Sequence, residues 1–405
     1  MGFQQGLSGL NAASRNLDVI GNNVANATTV GFKQSQVLFA DVFANSIGGS
    51  TGTGAGIGVA VAGVQAEFTQ GNITTTGSPL DMAINGNGFF RLDNNGTITW
   101  SRNGQLHLDK DGYIVNPMGG KLTGYAVNAQ AQVVPSNPGP LQVNRADFPP
   151  QATTASEMQL NLDSREAVIT AAFNVNDSTT YNKASSMTVY DSLGNPHAMG
   201  SYFVKTAAGA WTVYGAVDGT PLAAALGTLN FQSDGTINTT TTTLPFNVSV
   251  ALTNAASTPF VFTLDFTGTT QYGSAFGVNT LTQDGYTSGR LSGFGVGADG
   301  MLTGRYTNGQ SRPLGQVVLG SFPNPSGLNP LGNNQWADTA ASGQPTIGAP
   351  GSSSNGVLQA GAVEESNVDL TEELVNMITA QRVYQANAQT IKTQDQILAT
   401  LVNLR

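Results

Sequence analysis

The sequence contains no cysteine among its 405 residues. Disulfide stapling, thiolate catalysis and cysteine-ligated zinc are therefore excluded. Charge is also scarce. Only 10% of residues are Asp, Glu, Lys or Arg, against roughly 25% in an average soluble protein. A surface so poor in ions can pack against copies of itself without burying unpaired charge, and weakly charged subunits associate rather than repel. Basic residues are the scarcer sign, which leaves a net charge of −9. A nucleic-acid partner calls for clustered Lys and Arg, and so does a polybasic membrane anchor; neither is expected. The longest apolar run, about Ile57 to Val64, is too short to cross a bilayer, so no membrane insertion is expected. The opening Met1-Gly-Phe-Gln-Gln-Gly6 has neither a basic region nor an apolar core. A cleavable secretory signal is not expected, and an exported chain of this kind would need a dedicated machine.

Catalytic and metal-binding chemistry is thin as well. There are two histidines, His107 and His197. Each lies near a predicted hairpin without a partner at metal-ligand spacing, and each reads as an isolated surface residue. Asp109 and Asp111 before Gly112 suggest a calcium loop. That loop would need an acidic residue at His107 and a Glu at Met118, so the segment reads as a turn. Gly120-Lys121 lacks the Ser or Thr of a phosphate-binding loop, and the Gly-rich run Gly52 to Gly58 lacks the third Gly of a dinucleotide fingerprint. No nucleophile elbow appears. The expectation is a protein that is not an enzyme, with no cofactor and no metal.

What is present is 40% hydrophobic residues, enough to bury substantial cores, and 50 glycines. The two ends differ from everything between them. Near the N-terminus, Phe3, Leu7, Leu10, Leu17 and Val24 follow steps of three and four, with Ser14 and Gly21 at the intervening positions. This is the seam of an amphipathic helix. Near the C-terminus, Leu370, Leu374, Met377, Tyr384, Ala388, Ile391, Leu398 and Val402 form a second stripe, interrupted by Gln381 and Asp395. Asp369 reads as its N-cap, with Glu372 at the third helical position. Glu364, Glu365 and Glu373 gather near that start, and Arg382, Lys392 and Arg405 come later, as the helix dipole favours. Neither helix can bury its stripe alone, so the two are expected to pair. Val19, Ile20, Val375, Ile378, Ile397 and Leu401 lie beyond the seam. Either the β region or neighbouring subunits could cover them; Gly- and Pro-rich separations at both ends favour the neighbours.

Between the ends the signal is β. Asn95-Gly, Asn103-Gly, Asp111-Gly, Asp234-Gly and Asp299-Gly each precede a return to apolar residues, and such pairs suit the positive φ angles of tight hairpins. Phe260, Phe262, Leu264 and Phe266 alternate onto one face, and Trp211, Val213 and Val217 share another. Residues 75–360 read as antiparallel β throughout. The fold class expected is mainly β with a terminal α-helical pair: a nested, elongated multidomain chain whose end helices form a coiled coil, with two antiparallel barrel- or sandwich-like β domains. The expected boundaries are 1–33 with 362–405 for the helical domain and 34–74 for an extended linker. An inner β domain takes 75–144 with 285–361, and an outer one 145–284. The Pro-rich stretch Val134 to Pro150 marks the crossing between the two β domains.

The ends carry a more specific pattern. Leu17-Asp-Val-Ile-Gly-Asn-Asn-Val-Ala25 leads into Asn26-Ala-Thr-Thr-Val-Gly31-Phe32-Lys33, which closely resembles the N-terminal signature of bacterial flagellar rod and hook proteins. Ser366-Asn367-Val-Asp369-Leu370, Glu373 through Gln381-Arg382, Tyr384-Gln-Ala-Asn387 and Ile391 to Asp395 resemble their C-terminal signature. Leu80 to Phe90 is similar to a segment common to both kinds of member. Thr188 to Asn195 and Tyr202-Phe-Val-Lys205 resemble the outer domain of the hook branch, and rod members are mostly too short to hold one. A secreted β-rich adhesin or a polysaccharide-acting enzyme would leave the matched helical ends unexplained.

The resemblance implies a structural subunit of the flagellar hook. Such subunits self-assemble into a curved helical tube, a universal joint that passes torque from rod to filament, with the end helices lining an export channel. It implies three kinds of partner: other copies of the chain; the distal rod protein, the hook cap and the hook–filament junction protein; and the flagellar type III export apparatus. It also implies an extracellular location in the hook without a cleaved signal. Phe39-Ala-Asp-Val-Phe43 resembles the short element read by the export gate; Phe39 and Phe43 could equally anchor the linker on a β domain.

Overall fold

The computed structural model describes residues 2–42, 56, 58–128, 130–254, 256–352 and 354–403. The chain is mostly β, with one long helix at each end. Helix α1 spans Gly2–Ala25 and helix α2 spans Leu370–Asn403. No described helix is long and apolar enough to cross a membrane. Two compact units are present. One comprises Met1–Asn144, Gly293–Gly304 and Ser311–Arg405, and the other Arg145–Ser292 and Arg305–Gln310.

In the first unit, residues 34–74 are more than an extended linker. Strands β1 (Ser35–Val42) and β2 (Gly58–Ala66) form an antiparallel hairpin with a register shift between Leu38 and Phe39. The hairpin runs beside α1: Gln5 Nε2 donates to the Gly56 carbonyl at 2.7 Å, and the Val59 amide donates to Ser8 Oγ at 3.3 Å. A short strand β3 (Ile73–Thr75) then pairs with Ala362–Glu364. Strand β4 (Met82–Asn85) pairs with Val357–Ala360. The outgoing and returning halves of the chain therefore share sheets at two successive levels.

Strands β5 (Phe89–Asn94) and β6 (Thr97–Ser101) form a hairpin whose turn residues, Asn95 and Gly96, have φ of 55° and 93°. This is the geometry that Asn-Gly predicts. Asn103-Gly104 is different. Gly104 keeps a negative φ and its carbonyl accepts from the Met82 amide at 3.0 Å. A Cβ there would lie 1.6 Å from the Met82 oxygen. The glycine serves close backbone approach, not a hairpin. The core of this region is aromatic. Phe68, Phe89, Trp100, Phe322 and Trp336 meet edge to face, with Trp100 and Phe322 centroids 5.0 Å apart.

The second unit is a two-sheet sandwich. Lys183–Tyr190, Pro196–Ala207 and Ala210–Val217 form an antiparallel meander. Facing it is a four-stranded sheet in the order Phe246–Val250, Phe260–Asp265, Ala155–Asn161, Gly277–Gln283. Phe203, Trp211 and Val213 from one sheet share a core with Met158, Leu160, Phe262 and Leu264 from the other. The alternation of Phe260, Phe262, Leu264 and Phe266 does place all four inside. The expectation of purely antiparallel pairing does not hold. Ala155–Asn161 runs parallel to Phe260–Asp265, because the strand entering the unit is laid beside one that comes much later in the chain. Period-two patterning specifies a buried face and is indifferent to neighbour direction.

Candidate functional site

The chain ends are joined by a buried polar cluster at the foot of α1. Asn23, on the last turns of α1, acts as a strand partner. Its Nδ2 donates to the Ser35 carbonyl at 2.8 Å and its Oδ1 accepts from the Ser35 amide at 3.0 Å. The backbone then turns through Asn26, whose amide donates to Asn22 and Asn23 oxygens at 3.1 Å. Gly31 follows with φ +71°, and its amide donates to the Glu364 carbonyl at 2.8 Å. A Cβ on Gly31 would sit 2.5 Å from the Asn103 nitrogen, so only glycine fits both the left-handed backbone and the space. Phe32 is half-buried beside it.

Lys33 is the centre of the junction. Its ammonium donates to Glu364 Oε1 at 2.7 Å and to the Thr69 carbonyl at 2.6 Å. The other Glu364 oxygen accepts from Arg102 at 3.1 Å. Arg102 also donates to the Gly86 carbonyl at 2.8 Å, and its guanidinium lies 5.4 Å from the Phe89 ring centroid. The side chains of Lys33 and Glu364 are 0% exposed and that of Arg102 is 4%. Burial lowers the pKa of both cations, and the Glu364 carboxylate opposes the shift. Two cations share one carboxylate, so Glu364 carries the whole neutralisation. The sequence places Glu364 near a helix start as a dipole partner. It lies instead in the strand Ala362–Glu364, turned inward, and neither Arg102 nor Glu364 had any local signal of this role.

The C-terminal signature closes the other side. Asn367 Oδ1 accepts from the Gln34 amide at 2.7 Å, and its Nδ2 donates to the Glu67 carbonyl and to Thr69 Oγ1 at 2.9 and 2.7 Å. Asp369 caps α2 by accepting from the Thr371 and Glu372 amides at 2.8 and 3.2 Å. Gln34 donates to Glu373 Oε1 at 2.7 Å. Gln381 and Arg382 are exposed on α2, away from this junction.

The two helices do pack together, antiparallel, but on a different seam. On α1 the inward stripe is Gly6, Gly9, Ala13, Asn16, Ile20 and Asn23, each buried or half-buried. A Cβ on Gly6 would lie 3.0 Å from Ile391 and one on Gly9 2.7 Å from Asn387. The buried and half-buried residues on the facing side of α2 are Glu373, Met377, Ala380, Asn387, Ile391 and Gln394, so Met377 and Ile391 of the expected stripe lie there, while Tyr384 is 37% exposed. On α1 the predicted stripe is rotated by one residue, roughly 100°, from the packed one. Phe3 is 47% exposed and Leu7 45%, while Leu10, Leu17 and Val24 are half-buried at the margin. Leu370, Leu374 and Leu398 are also exposed, and the side chain of Val402 lies outside the described residues. Small residues win the contact because they let the helix backbones approach closely, which leaves the larger apolar residues outside it. Phe39 is 45% exposed on β1, and Phe43 lies outside the described residues.

One polar cluster in the second unit corrects another expectation. His197 is not isolated. Its Nδ1 lies 2.7 Å from Asp218 and its Nε2 3.3 Å from Asp191. Asp191, buried in the Asp191–Asn195 turn, also accepts from Asn195 and Asn254. Burial disfavours a charged imidazole, but the hydrogen bonds its ring N–H groups donate to the two carboxylates outweigh it and raise the His197 pKa. From the strand Pro196–Ala207, the histidine ties the Asp191 and Asp218 turns together. Among the described residues, no group of three or more His, Asp or Glu is placed to hold a metal ion.

Four family models match successive parts of the chain. They are "Flagella basal body rod protein" over residues 3–33, "Flagellar hook protein FlgE/F/G D1 domain" over 83–163, "Flagellar basal body protein FlaE D2 domain" over 161–286, and "Flagellar basal body rod FlgEFG protein C-terminal" over 359–404. The chain is 46% identical to the flagellar hook protein FlgE of Salmonella typhimurium over 414 residues, covering 100% of both chains. It is 44% identical to that of Escherichia coli over 412 residues, covering 100% of both. Against that of Borreliella burgdorferi it is 31% identical over 435 residues, covering 99% of this chain and 98% of the other. The crystal structure of the Helicobacter pylori flagellar hook protein FlgE2 aligns with a TM-score of 0.52 at 12% identity, covering 72% of this chain and 100% of that one, a likeness of fold. The matched rod-type ends are the same segments that the Lys33–Glu364–Arg102 cluster ties together, and with full-length identity of this order the chain belongs to the flagellar hook protein family.

Proposed function

We propose that this chain is a non-enzymatic subunit that self-assembles into the curved tube of the flagellar hook, outside the cell. The observation that carries this reading is the exposed apolar surface of the end helices. Phe3 and Leu7 on α1, and Leu370, Leu374, Val375, Ile378, Ile397 and Leu398 on α2, stay solvent-exposed after the helices have packed on each other and α1 on the β1–β2 hairpin. Large apolar residues repeated along two joined helices mark a surface that other copies cover. The buried Lys33 cluster holds both ends in one geometry, which a repeating lattice requires of every copy.

In this reading the helices line the export channel, and the β units form the outer layers. Close helix packing would resist twist, and weakly charged β surfaces would slide during bending. That division is what a universal joint between rod and filament needs. The distal rod protein, the hook cap and the hook–filament junction protein would meet the two ends of the tube. The type III apparatus would export the chain without cleavage, with Phe39 and Phe43 as the candidate recognition element. Purified full chain should polymerise into tubes visible by negative-stain microscopy, and a chain trimmed to residues 26–369, which keeps Lys33, Arg102 and Glu364 together, should stay monomeric. Discrete monomers of the full chain at high concentration and moderate salt would sink the proposal.

A further inference from the structure

Between α1, the β1–β2 hairpin and the first turns of α2 lies an open groove of about 820 Å³. Its walls are apolar where Ala12, Ile20, Val37 and Ala380 face it, and its charged residues are all acidic: Glu67, Glu372 and Glu373, with no Lys, Arg or His among the described residues that line it. Glu373 is 3% exposed. One of its oxygens accepts from Gln34, while Oε2 has no hydrogen-bond partner among the described residues. A buried carboxylate oxygen left unpartnered in an open groove calls for an incoming donor. Residues 43–55, which connect the hairpin strands, contain no basic residue, so they cannot supply a cation from the same chain.

The chain itself offers a matching surface. Val375, Ile378, Arg382, Gln385, Gln389 and Lys392 follow steps of three and four on α2, so they share one face. All six are exposed, on the side opposite the stripe that packs on α1. Arg382 and Lys392 are the only basic residues of α2, and both lie on this face. An apolar start followed by two cations complements an apolar groove rimmed by three carboxylates.

We infer that the groove is the docking site for the outward face of helix α2 from a second copy of the chain, with the incoming Arg382 guanidinium completing the hydrogen bonding of Glu373. The contact is heterologous. Each copy would present its α2 face to one neighbour and its groove to another, which propagates a helical assembly and does not close a dimer. A guanidinium suits the site because its planar donors can reach the buried Oε2 and the rim Glu372 together. This inference rests on the self-assembly proposed above and adds which surfaces meet.

The test uses the full-length chain and its critical concentration for polymerisation, read by sedimentation and negative stain. Arg382→Glu should raise that concentration at least about tenfold, because it sets like charges against a buried carboxylate. The second change Glu372→Arg should restore much of the loss, and Arg382→Lys should fall between. Circular dichroism should show equal helix content in all monomers, since Arg382 is exposed. The absence of cysteine permits a second readout. Copies carrying Asn376→Cys in the groove should form disulfides with copies carrying Gln385→Cys in assembled tubes. If wild-type chain forms tubes and Arg382→Glu does so at the same concentration, the docking inference is overturned and self-assembly stands. The same holds if Arg15→Glu reproduces the loss and Arg382→Glu does not. If the wild-type chain forms no polymer at all, both fall.

Discussion

Replacing Glu364 with Gln removes one charge from the junction of the chain ends and leaves its shape nearly intact. The consequence is large because of what remains. Lys33 and Arg102 would stay buried, with side chains 0% and 4% exposed, and would lose the one carboxylate that pairs with them among the described residues. Removing one partner of such a buried pair costs about 3–5 kcal/mol, against about 0–1 kcal/mol for an exposed pair. In a unit of this size that is a fall in Tm of roughly 6–20 °C. Lys33→Met in the Glu364→Gln background removes one of the stranded cations. The double variant should therefore cost less than the sum of the single variants by about 1–3 kcal/mol. Urea unfolding of the monomer reports this directly. Trp100 and Trp336 sit in the first unit, and a Trp211→Phe background silences the remaining tryptophan. A Glu364→Gln cost below about 1 kcal/mol, or strictly additive single variants, would refute the claim that this carboxylate carries the junction.

Other outcomes follow from particular contacts. Gly31→Ala forces a left-handed alanine into Asn103, so the first unit should lose at least about 1–2 kcal/mol from backbone conformation alone in the same unfolding assay. Gly9→Val places branched bulk where a single Cβ already meets Asn387 at 2.7 Å. Helix α1 should separate from α2, seen as faster trypsin cleavage at Arg15, with the second unit's unfolding unchanged. The second unit should lose stability as pH rises. His197 has a folded pKa above the ordinary 6.5. Its contribution is therefore complete below about 6.5 and lost as pH climbs through the raised folded value. Asp191 and Asp218 have folded pKa values below the ordinary 3.8, despite burial that opposes the shift, because of the hydrogen bonds they accept. Their contribution is present above 3.8 and lost as pH falls through the lowered values. Urea midpoints read on Trp211 should fall between pH 6 and pH 9 on this reasoning, and His197→Gln should flatten that slope; equal slopes in both proteins would rule the histidine out.

Much of this protein is written locally. The helical ends are marked by three- and four-residue spacing and by the Asp369 cap, because each depends on groups within one turn. The Asn95-Gly96 hairpin and the inward Phe260, Phe262, Leu264 and Phe266 follow from backbone freedom and strand alternation. Absent cysteine excludes disulfides and thiolate chemistry whatever the fold, and sparse charge sets an expectation about partners. Tertiary structure decided the rest. Periodicity of 3.6 gives several stripes on one helix, and only contact distance selects Gly6, Gly9 and Ala13 over Phe3, Leu7 and Leu10 as the face that meets α2. Strand alternation does not encode direction, so the parallel neighbour of Ala155–Asn161 had to be seen. Lys33 and Glu364 are 331 residues apart, and Asp191 and Asp218 sit on separate turns that His197, on the strand Pro196–Ala207, joins. Such clusters leave no trace in local spacing, because their energy comes from burial that exists only once distant segments have met.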